Sequence, residues 1–370
     1  MHNADKNILS ATICKIMLFY CLSQIFSIFT RYLRLKICLH DAMNSKRALL
    51  IINPISGTRS KKGLEELVTL TLGKKGIDVT AYYTKSGGDA YSRAKAGIEE
   101  GFEIIISAGG DGTVNEIANA VSGTDAILGI LPYGSGNGLA RSLSIPISTP
   151  DALKIVDKGN VMECDRGIAN GHPFYCTLGL GFDATVSERF AIMGKRGRNT
   201  YIRSAFREYF KYKSESYALL IDGKIITEKA LLIAVCNAPQ YGNNAYIGPH
   251  AKLQDGLLDI TVVHEDTPLS TLLMGMALMA GTIDKNKNIE CIRTSSVSIA
   301  RLNPGPVHID GEPMLMGKKI DITCQKRVLK VFAPLNSKEF QPVISPLRAL
   351  LNDMRYDVME KFRTGLILEK

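Results

Sequence analysis

Apolar positions along the chain fall into two regimes. From Ala48 to Pro132, short β-branched or leucine-rich runs alternate with segments whose apolar residues recur every three or four positions. ALLIIN, DVTAYYT, EIIIS and AILGILP are of the first kind, which suits buried strands. The stretch from Leu64 to Leu72, the one through Ala94 and Ile98, and the series Val114, Ile117, Ala118 and Val121 are of the second kind, which suits amphipathic helices. The order β-α-β-α-β predicts a parallel sheet with helices on its faces. After about Val161 the pattern changes to segments such as VMECDRGIAN, YALLIDGKIIT, GLLDITVVH and GPVHIDGEP, where alternation and turn residues predict an antiparallel sandwich or barrel.

These shifts divide the chain into an extension (1–45), an α/β domain (46–160), a β-rich sandwich domain (161–334) and a carboxyl-terminal helical segment (335–370). Within the extension, Ile8 to Thr30 is apolar but carries Lys15 and Gln24, which makes it a poor membrane span, and no small-residue cleavage site follows it. An interfacial anchor with Arg31, Arg34 and Lys36 toward headgroups is the functional alternative. In the final segment, Leu347, Leu350, Leu351, Met354 and Val358 lie at helical spacing and read as docking surface or core.

Turn-rich or glycine-rich corners follow the predicted strands at NPISG (Asn53–Gly57), GGDGT (Gly109–Thr113) and GSGNG (Gly134–Gly138). Ligands of such sheets bind at the carboxyl ends of the strands, so the corners should converge on one cleft. Glycine lets backbone N–H groups approach a ligand, and a helix N-terminus favours negative charge, so GGDGT suits phosphate. An unpaired Asp111 would repel that phosphate, which implies that it acts through a metal ion or as a base on an incoming hydroxyl.

Composition narrows the partners. The 370 residues carry 45 Lys and Arg against 36 Asp and Glu, a formal charge of +9 that favours anionic partners. The eight cysteines form no CxxC pair and no regular spacing, which argues against a disulfide framework or zinc site and for a reducing cytoplasm. No P-loop, HExxH or nucleophile elbow is present. GLGFDA at Gly179–Ala184 fits a dinucleotide fingerprint but lacks the later acid, Asn199 standing there, and reads better as a strand-to-helix corner.

Taken in order, NPISG, SAGGDGTVNEIANAV, LPYGSGNGLAR, GLGFDA, LQDGLLD and HIDGEP resemble the diacylglycerol kinase catalytic family of lipid kinases, which includes sphingosine kinases, from about Lys46 to Ala333. GGDGT alone is shared with NAD kinases and, as a variant, with phosphofructokinases. The resemblance implies a three-layer α/β nucleotide-binding domain like theirs, joined to a β-rich domain that contributes to the lipid site. It implies ATP and Mg²⁺ as cofactors, with Asn53, Ser56, Gly57 and Thr84 at the nucleotide. Gly109, Gly110, Gly112, Thr113 and Glu116 would cradle the phosphates, and Gly134, Ser135, Gly136 and Asn137 would form the opposite wall. Glu312 is the expected proton acceptor and Asp111 the ligand of a phosphate-bridging Mg²⁺, the reverse assignment being that of sphingosine kinases. The Asp255 side chain with the carbonyls of Lys252 and Leu257 resembles a structural Mg²⁺ site. Many diacylglycerol kinases have an aspartate where Gly138 stands here, which removes an acceptor for a headgroup hydroxyl and brings the loop closer to the sphingosine kinase form.

Between Gly194 and Lys213, Arg203, Arg207 and Lys211 recur every four residues beside an aromatic stripe, as on a helix resting against anionic lipid. The alternative is a linking helix with solvated cations. The expected partners are therefore ATP and a lipid acceptor at a membrane surface, from a cytoplasmic, peripherally associated protein. Nucleic acid is not expected, and a homo-oligomer stays open. The competing functions are a sphingoid-base kinase, an NAD kinase relative and a non-catalytic nucleotide-binding lipid sensor.

Overall fold

The computed structural model describes residues 46–57, 59–193 and 212–335. The amino-terminal extension, most of the basic segment after Gly194 and the segment from 336 onward lie outside these residues.

The amino-terminal lobe follows the alternating pattern closely. Strands β1 (Arg47–Ile52), β2 (Asp78–Tyr83), β3 (Ile104–Gly109) and β4 (Ile127–Pro132) lie parallel in the order β2-β1-β3-β4. Helices α1 (Leu64–Gly73) and α5 (Thr149–Lys158) pack together, as do α2 (Asp89–Glu99) and α3 (Asp111–Val121). This pairing is the three-layer arrangement that right-handed crossovers impose. β1 and β3 are buried along nearly their whole length, which is why their sequences are unbroken apolar runs. The short helix α4 (Gly138–Ser142) follows the third corner.

The second lobe is an antiparallel sandwich. One sheet has six strands in the order β12-β11-β10-β7-β14-β15: β7 (Thr177–Gly181), β10 (Leu232–Cys236), β11 (Leu258–Val263), β12 (Ile289–Thr294), β14 (Gly305–Ile309) and β15 (Glu312–Met316). The other continues the parallel sheet itself. The strand β16 (Lys319–Phe332) pairs in parallel with β4 through Val331 and Leu128, and antiparallel with β13 (Ser296–Arg301) and β5 (Val161–Ala169). With β6 (His172–Phe174), β8 (Glu215–Ile221) and β9 (Lys224–Ala230) added, ten strands form one sheet through both lobes. Leu178, Leu180, Ile233, Val235, Ile260, Ile299, Ile320 and Ile322 fill the space between the sheets.

Among the described residues, two helices interrupt the sandwich. GLGFDA forms the corner between β7 and α6 (Phe182–Met193). The pattern leaves room for a long helix within the sandwich without locating one, and α7 (Pro268–Ala280) is hard to place from sequence because PLSTLLMGMALMA is apolar on most sides and carries little 3.6-residue period. No helix among the described residues is long and apolar enough to cross a membrane.

Candidate active site

The three corners meet at the carboxyl ends of β1, β3 and β4. Gly57, at φ +65°, lies so close to the third corner that a Cβ there would fall 1.8 Å from the Tyr133 carbonyl oxygen. A Cβ on Gly134 would come within 2.6 Å of Gly110 Cα. Glycine is required at both contacts because no side chain fits between two backbones at that distance. Asn53 ties the first corner to the second: its Nδ2 donates to Thr113 Oγ1 at 2.9 Å, while its Oδ1 accepts the Ile55 N–H. Ser56 and Thr84 are buried beside it, Ser56 Oγ donating to the Asn53 carbonyl.

Asp111 opens α3 and binds the third corner. Its Oδ2 accepts the Asn137 N–H at 2.9 Å and its Oδ1 accepts the Gly138 N–H at 2.6 Å. Asn137 takes the left-handed conformation, φ 52°, and its Nδ2 donates to the Gly134 carbonyl. Burial raises the Asp111 carboxyl above its ordinary range, against the pull of the two backbone donors. Each carboxylate oxygen retains a second lone pair, so the residue both clamps a loop and can still accept a cation. No side chain caps α3, which leaves the N–H groups of its first turn to an anionic ligand.

Glu312 reaches this point from the other lobe. Its Oε1 stands 3.4 Å from where a Cβ on Gly112 would be, over the first turn of α3. The side chain is exposed and has no hydrogen-bond or ion-pair partner among the described residues. What holds it there is Asp310, two residues earlier. Asp310 and Gly311 form the tight β14–β15 turn at φ 49° and 87°, the left-handed pair that a two-residue hairpin of this twist needs. The Asp310 carboxylate accepts the N–H groups of Tyr175 (2.9 Å), Cys176 (2.8 Å) and Thr177 (2.9 Å), and Asn115 Nδ2 of α3 donates to it at 2.8 Å. The turn bearing Glu312 is thereby tied both to the sandwich and to the helix that Asp111 begins. Burial again raises this carboxyl, with the backbone donors opposing.

Below the turn, His308 Nε2 lies 3.1 Å from Asp183 Oδ2, which also accepts the Tyr241 hydroxyl at 2.7 Å. Gly242, next to Tyr241, rests against Gly136, where a Cβ would come within 2.9 Å of the carbonyl. Beside the first and third corners, Arg59 and Lys61 stand over the Tyr133 ring at 4.7 and 4.8 Å, and Lys61 Nζ donates to the Ser56 carbonyl. Burial lowers the Lys61 ammonium, and the neighbouring Arg59 adds to the effect.

Most residues expected from the sequence are gathered here: Asn53, Ser56, Gly57, Gly109, Gly110, Asp111, Gly112, Thr113, Gly134, Ser135, Gly136, Asn137 and Glu312. Glu116 faces elsewhere. Its carboxylate accepts the N–H groups of Gly88 and Tyr91 and caps α2. Lys252, Asp255 and Leu257 lie on a separate turn bordering a groove of about 960 Å³ that Arg141 and Arg293 also line. There Asp255 Oδ1 accepts the Leu257 N–H, and Oδ2 lies 3.8 Å from Arg293 Nη1. One carboxylate oxygen with two carbonyls is an oxygen-only set that fits a hard cation, weakened by the neighbouring guanidinium. Sequence reasoning missed Asp310, Asn115, Arg59 and Lys61. An Asp-Gly pair signals only a turn, and no local pattern shows where the carboxylate will point.

The comparisons with known proteins agree with this fold. Residues 47–169 match the diacylglycerol kinase catalytic domain and residues 176–333 match the YegS C-terminal NAD kinase beta sandwich-like domain. Among curated relatives, a diacylglycerol kinase of Staphylococcus saprophyticus is 28% identical over 301 residues, covering 79% of this chain and 97% of that one. A diacylglycerol kinase of Staphylococcus aureus is 29% identical over 297 residues, covering 78% and 93%. A crystal structure of a diacylglycerol kinase from Bacillus anthracis shares the fold, with a TM-score of 0.62 at 21% identity over 80% of this chain and 99% of that one. With both of the family's domains present in order along most of its length, the chain belongs to the diacylglycerol kinase catalytic family and is a lipid kinase, a phosphotransferase.

Proposed function

We propose that this lipid kinase transfers the γ-phosphate of ATP to a hydroxyl of diacylglycerol or a related lipid, working at a membrane surface from the cytoplasm. The observation that carries the reading is the position of Glu312, an unpartnered carboxylate over the uncapped amino terminus of α3. The nucleotide's phosphates would lie against the three corners, where backbone N–H groups and the helix dipole offset negative charge. Glu312 then receives the proton of the lipid hydroxyl as it attacks. Asp111, with both oxygens already on the third corner, is better suited to positioning and to holding a cation than to taking a proton. Mg²⁺ would be held through the remaining lone pairs of the Asp111 carboxylate, and when bound it would neutralise charge on the phosphate oxygens. The turn with Lys252, Asp255 and Leu257 would hold a second, structural cation.

Gly138 favours a second reading, a sphingoid base as acceptor. A Cβ on Gly138 would come within 3.3 Å of both Cys176 Sγ and the Tyr241 carbonyl, so the aspartate that many diacylglycerol kinases carry there would be a tight fit in this loop. Labelled-ATP transfer to a panel of diacylglycerol, sphingoid bases and NAD, with products identified, decides among the acceptors. Glu312→Gln should abolish transfer at an unchanged thermal midpoint. Asp111→Asn should abolish it with some loss of stability. Full turnover in both variants, or label on NAD alone, would refute the proposal.

A further inference from the structure

The two sheets of the sandwich each end in an edge strand on the same side, β9 of the large sheet and β12 of the small one. Three side chains come together there. Glu228 lies on β9, His264 directly follows β11 and Glu290 lies on β12, and their ligand atoms all fall within 4.8 Å of one another. His264 Nε2 and Glu228 Oε2 are 3.8 Å apart. That is too long for a hydrogen bond. It suits two ligands sharing one metal ion at bonds of about 2.0–2.2 Å.

The tautomer of His264 supports a metal. Its Nδ1 lies 3.2 Å from the Lys229 carbonyl oxygen, which can only accept, so Nδ1 carries the proton and Nε2 keeps its lone pair toward the two carboxylates. Histidine ligands are commonly fixed this way, the far ring nitrogen donating to a carbonyl behind it. The His264 backbone is held as well, its N–H donating to the Asn288 carbonyl two residues before Glu290.

We propose that Glu228, His264 and Glu290 bind a divalent transition metal, Zn²⁺ being the best match, as a staple between the edges of the two sheets. An imidazole nitrogen with two carboxylate oxygens suits zinc better than magnesium, which prefers oxygen alone. Three protein ligands leave one position of a tetrahedron to water. The metal would sit where the chain crosses between sheets, since Leu231 alone separates β9 from β10. It would also cancel the repulsion of two acids on facing edges. This site shares no residue with the candidate active site and is independent of the acceptor lipid.

The test uses the full chain stripped with a chelator and titrated with Zn²⁺ by calorimetry, with Co²⁺ as an absorption probe. One saturable equivalent should appear and should weaken at least 10-fold in His264→Ala, Glu228→Gln and Glu290→Gln. Glu290→His should retain it, and His172→Ala should leave it unchanged. Zinc at 100 times its Kd lowers the unfolding constant about 100-fold, so the thermal midpoint should rise by a few degrees in the native chain and not in His264→Ala. Equal zinc binding by native chain and His264→Ala would overturn the proposal. So would a midpoint that shifts in the variants without depending on metal, or displacement by equimolar Mg²⁺.

Discussion

Replacing Asp310 by asparagine tests how the turn that carries Glu312 is held. The substitution keeps the shape and exchanges one oxygen for a donor. Oδ1 accepts Cys176 and Thr177, and Oδ2 accepts Tyr175 and Asn115, so either orientation of the amide sets an NH₂ group against two donors. At least two hydrogen bonds to a charged acceptor are lost, each worth about 1.5–3 kcal/mol. Desolvation of the native carboxylate offsets part of that, as its raised pKa indicates. The net loss should lie near the lower limit, about 3 kcal/mol. In urea unfolding this appears as a lower midpoint at constant slope. Turnover should fall as well, because Glu312 loses the tie that fixes its distance from α3. The contrast is Glu312→Gln, which removes turnover while changing stability by no more than about 0.5 kcal/mol, as expected of an unpartnered exposed residue. An Asp310→Asn protein with native midpoint and native turnover would refute the anchoring role.

Two further outcomes follow from the packing. Gly134→Ala, which sets a methyl 2.6 Å from Gly110 Cα, should cost about 1–3 kcal/mol and weaken nucleotide binding by calorimetry; unchanged affinity would mean that the corners do not form the phosphate cradle. Glu100 is held below its ordinary pKa, first by its hydrogen bond from Arg93. A depressed carboxyl contributes stability above the ordinary carboxylate range that is lost as pH falls through the folded value. The difference in thermal midpoint between native chain and Arg93→Gln should therefore shrink on acidification below that range, and high salt should reduce it, since the pair is exposed. A difference constant with pH would assign Arg93 to packing alone.

The parallel sheet and its glycine corners were legible because each follows from local rules: β-branched runs bury, amphipathic runs cover them, and close backbone approach demands glycine. Glu312 was legible through the ordered motifs. Its anchor was not, since Asp310 is recognised only once Tyr175–Thr177 and Asn115 are seen around it. Glu116 lies one helical turn after Gly112, and sequence alone cannot tell a phosphate contact from a cap on α2. Asp111 was expected to face a metal or a hydroxyl, and the structure adds the loop it binds, which no spacing rule encodes. The bounds of α7 were not legible, because periodicity fades when nearly every face is apolar.

The course of β16 bears on how the protein is made. This strand is among the last described parts of the chain to leave the ribosome, yet it lies beside β4, in the middle of the continuous sheet. Until it arrives, the exit edge of the first four strands has an open row of backbone donors and acceptors, a surface prone to mispairing. The amino-terminal lobe is therefore completed only after translation of both halves, and shortened chains ending before Lys319 should need a chaperone or aggregate.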